Sequence, residues 1–149
     1  MVRTPIVLLA SAAALFAQEI RHVNPEGLVK SPAYSHAVTA KPGTVVWVAG
    51  QVALNSKAEV VGRGDLKAQA DQAWANVKTV LAASGAGVQD VVKITTYVVN
   101  YRPAMRDILR EARMRAMGNA EPPAATLVGV QSLASEDYLV EIEVTAVVR

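Results

Sequence analysis

The stretch DLKAQADQAWANVKTVLAASGAGVQDVVKITTYVVN, residues 65–100, predicts a helix that leads directly into a strand. Asp65 is a favourable N-cap residue, and Gly85 marks the end of the helix. The apolar positions between them recur at helical spacing and form one stripe for burial: Leu66, Ala70, Ala73, Trp74, Val77 and Leu81. Residues 90–100 are rich in β-branched and aromatic side chains, which is typical of a strand.

Further strands and a second helix are predicted on both sides of this unit. Three strands precede it, at 34–39, 44–49 and 60–61. Pro103 opens a second helix with apolar positions at Met105, Ile108, Leu109, Ala112 and Ala116, and strands follow at 126–130 and 138–148. The order β-β-β-α-β-α-β-β predicts one α+β domain with two helices on one face of a mixed sheet. Because the strands are apolar on both faces, we expect the uncovered face to be buried in an oligomer.

The composition of the 149 residues excludes several classes of function. The sequence has no cysteine, which rules out disulfides, thiol nucleophiles and cysteine-ligated metals. Two histidines, His22 and His36, are too few for a histidine-rich metal site. Aromatic residues make up 5% and the net charge is +2, so neither base stacking nor a polyanion-binding surface is indicated. Nucleic acid is therefore not an expected partner.

Residues 1–17 have the pattern of a secretory signal peptide. Arg3 precedes an uncharged apolar stretch that ends at Ala17 and is too short to span a bilayer comfortably. We expect cleavage there, which leaves residues 18–149 as an exported domain, periplasmic or secreted, without a membrane anchor. The alternative is that this stretch is a buried N-terminal strand or helix of a cytoplasmic protein.

Several pieces of the sequence, in order and at matching spacing, resemble the RidA/YjgF family of reactive-intermediate deaminases. They lie at 31–37, 46–51, 69–81, 85–93, 123–126 and 140–146. The resemblance implies a chorismate-mutase-like α+β protomer that assembles as a homotrimer, with ligand pockets between adjacent subunits. Known members hydrolyse 2-imino and enamine acids to 2-keto acids and ammonia without a metal or cofactor. We therefore expect a small-molecule substrate, a 2-iminobutanoate/2-iminopropanoate deaminase-like hydrolysis of a C=N bond, no metal and no cofactor.

The resemblance also implies roles for individual residues. Glu141 falls at the position of the glutamate that holds the attacking water, and Tyr34 at that of a tyrosine that lines the pocket. Gly50 and Gln51 are expected to offer backbone donors to the ligand. Thr126 places a hydroxyl beside the family's carboxylate-binding position, although β-propensity alone also explains a threonine there.

The family's carboxylate-binding arginine is replaced here by Ala125. An arginine clamps a carboxylate with two hydrogen bonds, and the loss of such a contact costs about 2–5 kcal/mol. Two further family positions differ as well, with Ala49 in place of serine and Ile108 in place of asparagine. The sequence thus indicates a divergent member whose deaminase specificity is altered or lost. The alternative is a non-catalytic module that binds a small molecule or a protein on the same scaffold.

Each candidate also has a purely structural interpretation. Glu141 and its neighbour Glu143 both fit the pattern of ordinary solvent-facing strand residues. Gly50 also fits a β-bulge, and Tyr34 also fits packing at a subunit interface. We expect His36 to be structural rather than a general base. Some family members have been described as ribonucleases, but we expect the four arginines on one side of the second helix to be a solvated face: Arg102, Arg106, Arg110 and Arg113.

Overall fold

The computed structural model describes residues 19–28, 31–41 and 43–148, so the signal peptide predicted at 1–17 lies outside the described residues. The elements, in chain order, are β1 (Glu19–Val23), β2 (Ala37–Lys41), β3 (Thr44–Gln51), α1 (Leu66–Ala83), β4 (Val91–Val99), α2 (Arg106–Met117), β5 (Ala124–Val130) and β6 (Val140–Val148), and from α1 onward they follow the predicted order. One-turn 3₁₀ helices at Val88–Asp90 and Pro103–Met105 lead into β4 and α2.

Four of the strands form one mixed sheet in the order β3-β6-β4-β5. Strand β4 runs parallel to β5 and antiparallel to β6, and β6 runs antiparallel to β3. Helix α1 packs against β3, β6 and α2. The predicted α+β architecture, two helices packed against a mixed sheet, is therefore confirmed. Strands β1 and β2 pair only with each other, as a separate antiparallel ribbon.

The strands before α1 differ from the prediction in two places. Strand β1 was not predicted, because its short sequence Glu-Ile-Arg-His-Val carries three polar residues and gains its register only by pairing with β2. The strand predicted at 60–61 was wrong, since Val60 forms only an isolated bridge with Leu54. The Asn55 side chain explains this difference: its Oδ1 accepts hydrogen bonds from the backbone N–H groups of Lys57 and Glu59, and these bonds close a tight local loop.

The helix predicted from residue 65 begins as its sequence indicates. Asp65 accepts hydrogen bonds from the backbone N–H groups of Lys67 and Ala68, at 2.9 and 3.1 Å, and so caps α1. The predicted stripe is buried except for the partly buried Leu66, and the polar Gln69 is buried with it. In α2 the buried residues are Leu109, Ala112 and Met117, whereas the predicted Met105, Ile108 and Ala116 are only partly buried.

The sheet buries one face against the helices and leaves the other open. Alternate residues of β6 are buried on the helix side: Val140, Ile142, Val144 and Ala146. On the open side the indole of Trp47 is 79% exposed and Val45 is 40% exposed. In the described part of the chain, no helix has the length and apolar character needed to cross a membrane. No cluster of three or more histidine or carboxylate side chains there is placed to hold a metal ion.

Candidate functional site

The predicted site residues fall into two separate groups within one chain. Glu141 lies on the open side of the sheet, where its backbone pairs with Tyr97 of β4. Ala125 pairs with the buried Ile94, which lies three residues from Tyr97 along β4. This odd separation places Ala125 on the opposite face of the sheet from Glu141. The first group comprises Glu141 with the segment at 50–51, and the second comprises the residues around Ala125. One chain therefore does not bring all the predicted residues to a single site.

The first group is built around a close contact between Gly50 and Glu141. The register of β3 against β6 shifts between Val48 and Gln51, so Gly50 lies in a β-bulge. A methyl group added at Gly50 would lie 1.7 Å from Glu141 Oε1 and 2.8 Å from its Cγ, so any side chain at position 50 would displace the Glu141 carboxylate. The Gln51 side chain stabilises the bulge, because its Nε2 donates to Ala49 O at 3.0 Å. The predicted bulge is thus confirmed, and it also accommodates the Glu141 carboxylate.

The structure distinguishes Glu141 from its neighbour Glu143. The hydroxyl of Tyr97 donates to Glu143 Oε1 at 3.0 Å. This hydrogen bond, with burial and the nearby carboxylates, raises the pKa of the Tyr97 hydroxyl above its usual value of 10.0. Glu141 has no hydrogen-bond or ion-pair partner among the residues that the structure describes. Its carboxylate is therefore available to hold a water molecule, whereas that of Glu143 is already engaged.

The second group lines a cavity of about 220 Å³ beside the edge strand β5. Tyr34, Ala125 and Thr126 line it, but the Thr126 hydroxyl, which was expected to face the ligand, accepts a hydrogen bond from Lys93 Nζ instead. Trp74 of α1 and Leu109 of α2 belong to the apolar part of the lining. A cavity of this size accommodates a small organic molecule rather than a polymer segment.

Hydrogen bonds from Ser35 place the Tyr34 segment against the start of β5. Buried Ser35 donates from its Oγ to Pro122 O at 2.8 Å and from its backbone N–H to Pro123 O at 3.1 Å. His22 Nδ1 lies 3.0 Å from the same Pro122 carbonyl. His36, for which a structural role was expected, packs its ring edge-on against Tyr34, with the centroids 5.5 Å apart.

Of the four arginines expected to form a solvated face, Arg102, Arg106 and Arg110 are exposed, and only Arg113 is partly buried. Arg106, Arg110 and Arg113 all line the cavity that contains Ala125, and Arg113 is half-buried there. Arg102 precedes the helix and lies outside this lining. The sequence carried the signal for this placement, since positions 106, 110 and 113 share one helical side. What it did not reveal was that this side faces β5.

The chain matches known proteins over nearly all of its described length. An endoribonuclease L-PSP family model covers residues 27–148. A 2-iminobutanoate/2-iminopropanoate deaminase of Dermatophagoides farinae is 34% identical over 118 residues, which span 78% of this chain and 86% of that protein. The Escherichia coli K12 protein of the same description is 34% identical over 107 residues, which span 72% and 82% of the two chains.

Solved structures give the same result. A protein of unknown function of the conserved Rid family from Yersinia pestis has a TM-score of 0.83 at 42% identity, covering 87% of this chain and 98% of that one. RidA from an Antarctic Psychrobacter has a TM-score of 0.63 at 29% identity, with coverage of 80% and 92%. The protein thus belongs to the RidA/YjgF family, whose members the endoribonuclease L-PSP model describes.

Proposed function

We propose that this protein hydrolyses reactive imines or enamines to carbonyl compounds and ammonia, at pockets formed between adjacent copies in a homotrimer. The observation that carries the proposal is the free carboxylate of Glu141, held directly over Gly50. Two relatives at 34% identity are described as 2-iminobutanoate/2-iminopropanoate deaminases. Because Ala125 replaces the family's carboxylate-binding arginine, we expect the substrate specificity of this protein to differ from that of the two relatives.

The proposed reaction needs only a positioned water and a proton carrier. Glu141 accepts a proton from water as the oxygen adds to the carbon of the protonated imine, and a neutral carbinolamine forms. The protonated Glu141 then donates to the carbinolamine nitrogen, the C–N bond breaks, and the hydroxyl proton passes to the departing ammonia, which leaves the carbonyl product, ammonium and a regenerated carboxylate. A single carboxylate serves both steps, first as general base and then as general acid, and such assistance contributes about 10²–10⁴-fold to a rate.

The division of the site into two groups supports the trimer. The cavity beside Ala125 lacks a proton-transferring carboxylate, and Glu141 lies across the sheet from it. A second copy packed on the exposed Trp47 face would cover the apolar surface and bring its own Glu141 near a neighbour's edge. Such a symmetric ring makes a complete site at each subunit boundary.

Ammonia release from freshly generated 2-iminobutanoate, and from an uncharged imine, tests the activity. We expect Glu141→Gln to lower the rate by about 10²–10⁴-fold. Glu143→Gln is the matched control, because it removes a carboxylate from the same strand and face but keeps Glu141. No rate above buffer on either substrate, or an equal loss in the two variants, contradicts the proposal.

Ala125 favours a second candidate function, a non-catalytic small-molecule binding module. An alanine at this position offers no charged group to a substrate, so the cavity would bind a ligand without turning it over. In that case a ligand raises the melting temperature of the protein while ammonia release stays at the buffer rate.

A further inference from the structure

Three arginines of α2 converge on the cavity at which the family's pattern would place an arginine on β5. Arg106, Arg110 and Arg113 lie at positions i, i+4 and i+7, and the opposite wall holds Ala125. The cavity therefore keeps a positive lining although the strand position has lost its charge. None of the described residues that line it is acidic.

A second cavity of about 240 Å³ adjoins the first. Arg110, Arg113 and Ala33 line both cavities, so the two guanidinium groups stand at the boundary between them. The rest of the second lining is almost wholly apolar: Pro32, Met114, Met117, Gly118, Ala120, Pro122 and Pro123. The pair of cavities thus combines two cations with an apolar recess, which matches a molecule with an anionic end and an apolar body.

The arginines of α2 differ in how closely carboxylates surround them. Arg115, which lines neither cavity, pairs with Asp71 at 2.7 Å and with Glu111 at 3.8 Å. Within the described residues, Arg113 has no carboxylate at ion-pairing distance, and Arg110 reaches only Asp107, at 3.5 Å on the exposed side. A half-buried cation without a counter-ion is costly. The helix therefore pairs Arg115 with two carboxylates outside the cavities, whereas Arg113 has no carboxylate partner among the described residues and Arg110 has one long ion pair.

The pKa of Arg113 agrees with this geometry. Burial lowers it, and the neighbouring charge of Arg110 lowers it further. A bound anion would raise the pKa of Arg113 again, because it would replace the lost solvation of the guanidinium and offset the repulsion from Arg110. Arg113 remains a cation at neutral pH, so the site stays available to an anion.

We propose that Arg110 and Arg113, with Arg106 at the cavity mouth, bind the carboxylate of an organic acid whose apolar body occupies the second cavity. Helix α2 thereby supplies the anion contact that Ala125 cannot make. The proposal deepens the proposed function, because it assigns the substrate class of the same site as acids with an extended apolar side chain. As a statement about binding, it is testable without turnover.

Calorimetric titration of the full protein with three matched probes tests the proposal. We expect 4-methylpentanoate to bind, and the neutral, nearly isosteric 4-methylpentanamide to bind about 10- to 100-fold more weakly, because it lacks the charge-assisted hydrogen bonds. Acetate should also bind more weakly than 4-methylpentanoate, since it leaves the apolar recess empty. Equal affinity for the acid and the amide, or no binding of the acid, overturns the proposal.

Substitutions on α2 provide the second arm. Arg113→Gln should weaken 4-methylpentanoate binding by about 10- to 100-fold, and Arg110→Gln should act in the same direction. Arg115→Gln is the matched control, because it removes an equal charge from the same helix outside both cavities, and we expect affinity to change little. An equal loss in Arg115→Gln shows a general charge effect and overturns the proposal. Arg113→Gln also relieves an unpaired charge, so it should melt no lower than the wild type in anion-free buffer.

The two proposals fail in different ways. If 4-methylpentanoate binds through the arginines but no imine is hydrolysed, the carboxylate site stands and the enzymatic function falls. If an imino acid is hydrolysed and Arg113→Gln leaves its KM unchanged, the enzyme stands and the carboxylate site falls.

Discussion

Replacing Gly50 with alanine tests the contact on which the candidate site depends. The added methyl carbon would lie 1.7 Å from Glu141 Oε1, and ordinary contact begins at 3.4 Å, so the carboxylate must retreat by about 1.7 Å. Because Glu141 is half-buried on the open side of the sheet, it can rotate away at the cost of a strained side-chain torsion, about 1 kcal/mol. For a domain of this size that lowers the melting temperature by about 2–4 °C. A reacting group displaced by more than 1 Å loses about 100-fold in rate.

A double-mutant cycle separates the contact from any general effect of the substitution. The melting temperatures of wild type, Gly50→Ala, Glu141→Ala and the double variant are compared at equal protein concentration. In the Glu141→Ala background the Cγ, Cδ and Oε atoms are gone, so Gly50→Ala should cost almost nothing. Ammonia release should fall in both single variants and fall no further in the double variant. If Gly50→Ala destabilises both backgrounds equally, the strain lies in the bulge backbone and the reasoning is refuted.

Three other substitutions test the core, an ion-pair cluster and the open sheet face. Gln69 is fully buried, and its amide makes three hydrogen bonds to loop backbone. Gln69→Leu should therefore lower the free energy of unfolding, measured in urea, by about 2–4 kcal/mol. A loss below about 1 kcal/mol contradicts this structural role. Burial raises the pKa of Asp71, but hydrogen bonds led by Arg115 outweigh it and hold that pKa below 3.8. The ion pair therefore stabilises the fold above about pH 4 and loses its effect as pH falls through the lowered pKa. Asp71→Asn should cost about 0.5 kcal/mol at pH 7 and progressively less as pH falls below 4, and a pH-independent difference refutes the linkage. Trp47→Glu should convert a trimer to monomers in light scattering, whereas Ala75→Glu at an exposed position of α1 should not; trimers in both variants exclude the Trp47 face as the interface.

Local sequence patterns predicted α1 and β6 well because the residues that determine each element lie within that element. The Asp65 cap and the stripe from Leu66 to Leu81 fix the helix without reference to the rest of the chain. Strand β1 lacked such signals. Its alternating charged residues at 19–23 form a strand only because β2 supplies the hydrogen-bonding partner, and pairing across the intervening loop is invisible to a local pattern. The loop at 54–60 failed for the opposite reason, since the Asn55 side chain folds the segment onto itself.

The candidate site was predictable one residue at a time but not as an arrangement. The sequence singled out Glu141 and Gly50 separately, and only the register between β3 and β6 reveals that the glycine exists to accommodate the carboxylate. The strand pattern alone does not distinguish Glu141 from Glu143, because both occupy outward positions of one strand. Their difference arises from Tyr97, on a neighbouring strand, whose hydroxyl engages Glu143 alone.

The substitution at position 125 has to be interpreted together with α2. A guanidinium on β5 at Ala125 would share one cavity with those of Arg106, Arg110 and Arg113, and four cations in a partly buried space repel one another strongly. Repulsion therefore favours either an arginine on the strand or a row of arginines on the helix, but not both in one cavity. The electrostatic potential in a cavity depends on all of its walls, not on one sequence position. The loss of the strand arginine is thus compatible with anion binding, because the arginines on the opposite wall keep the potential in the cavity positive.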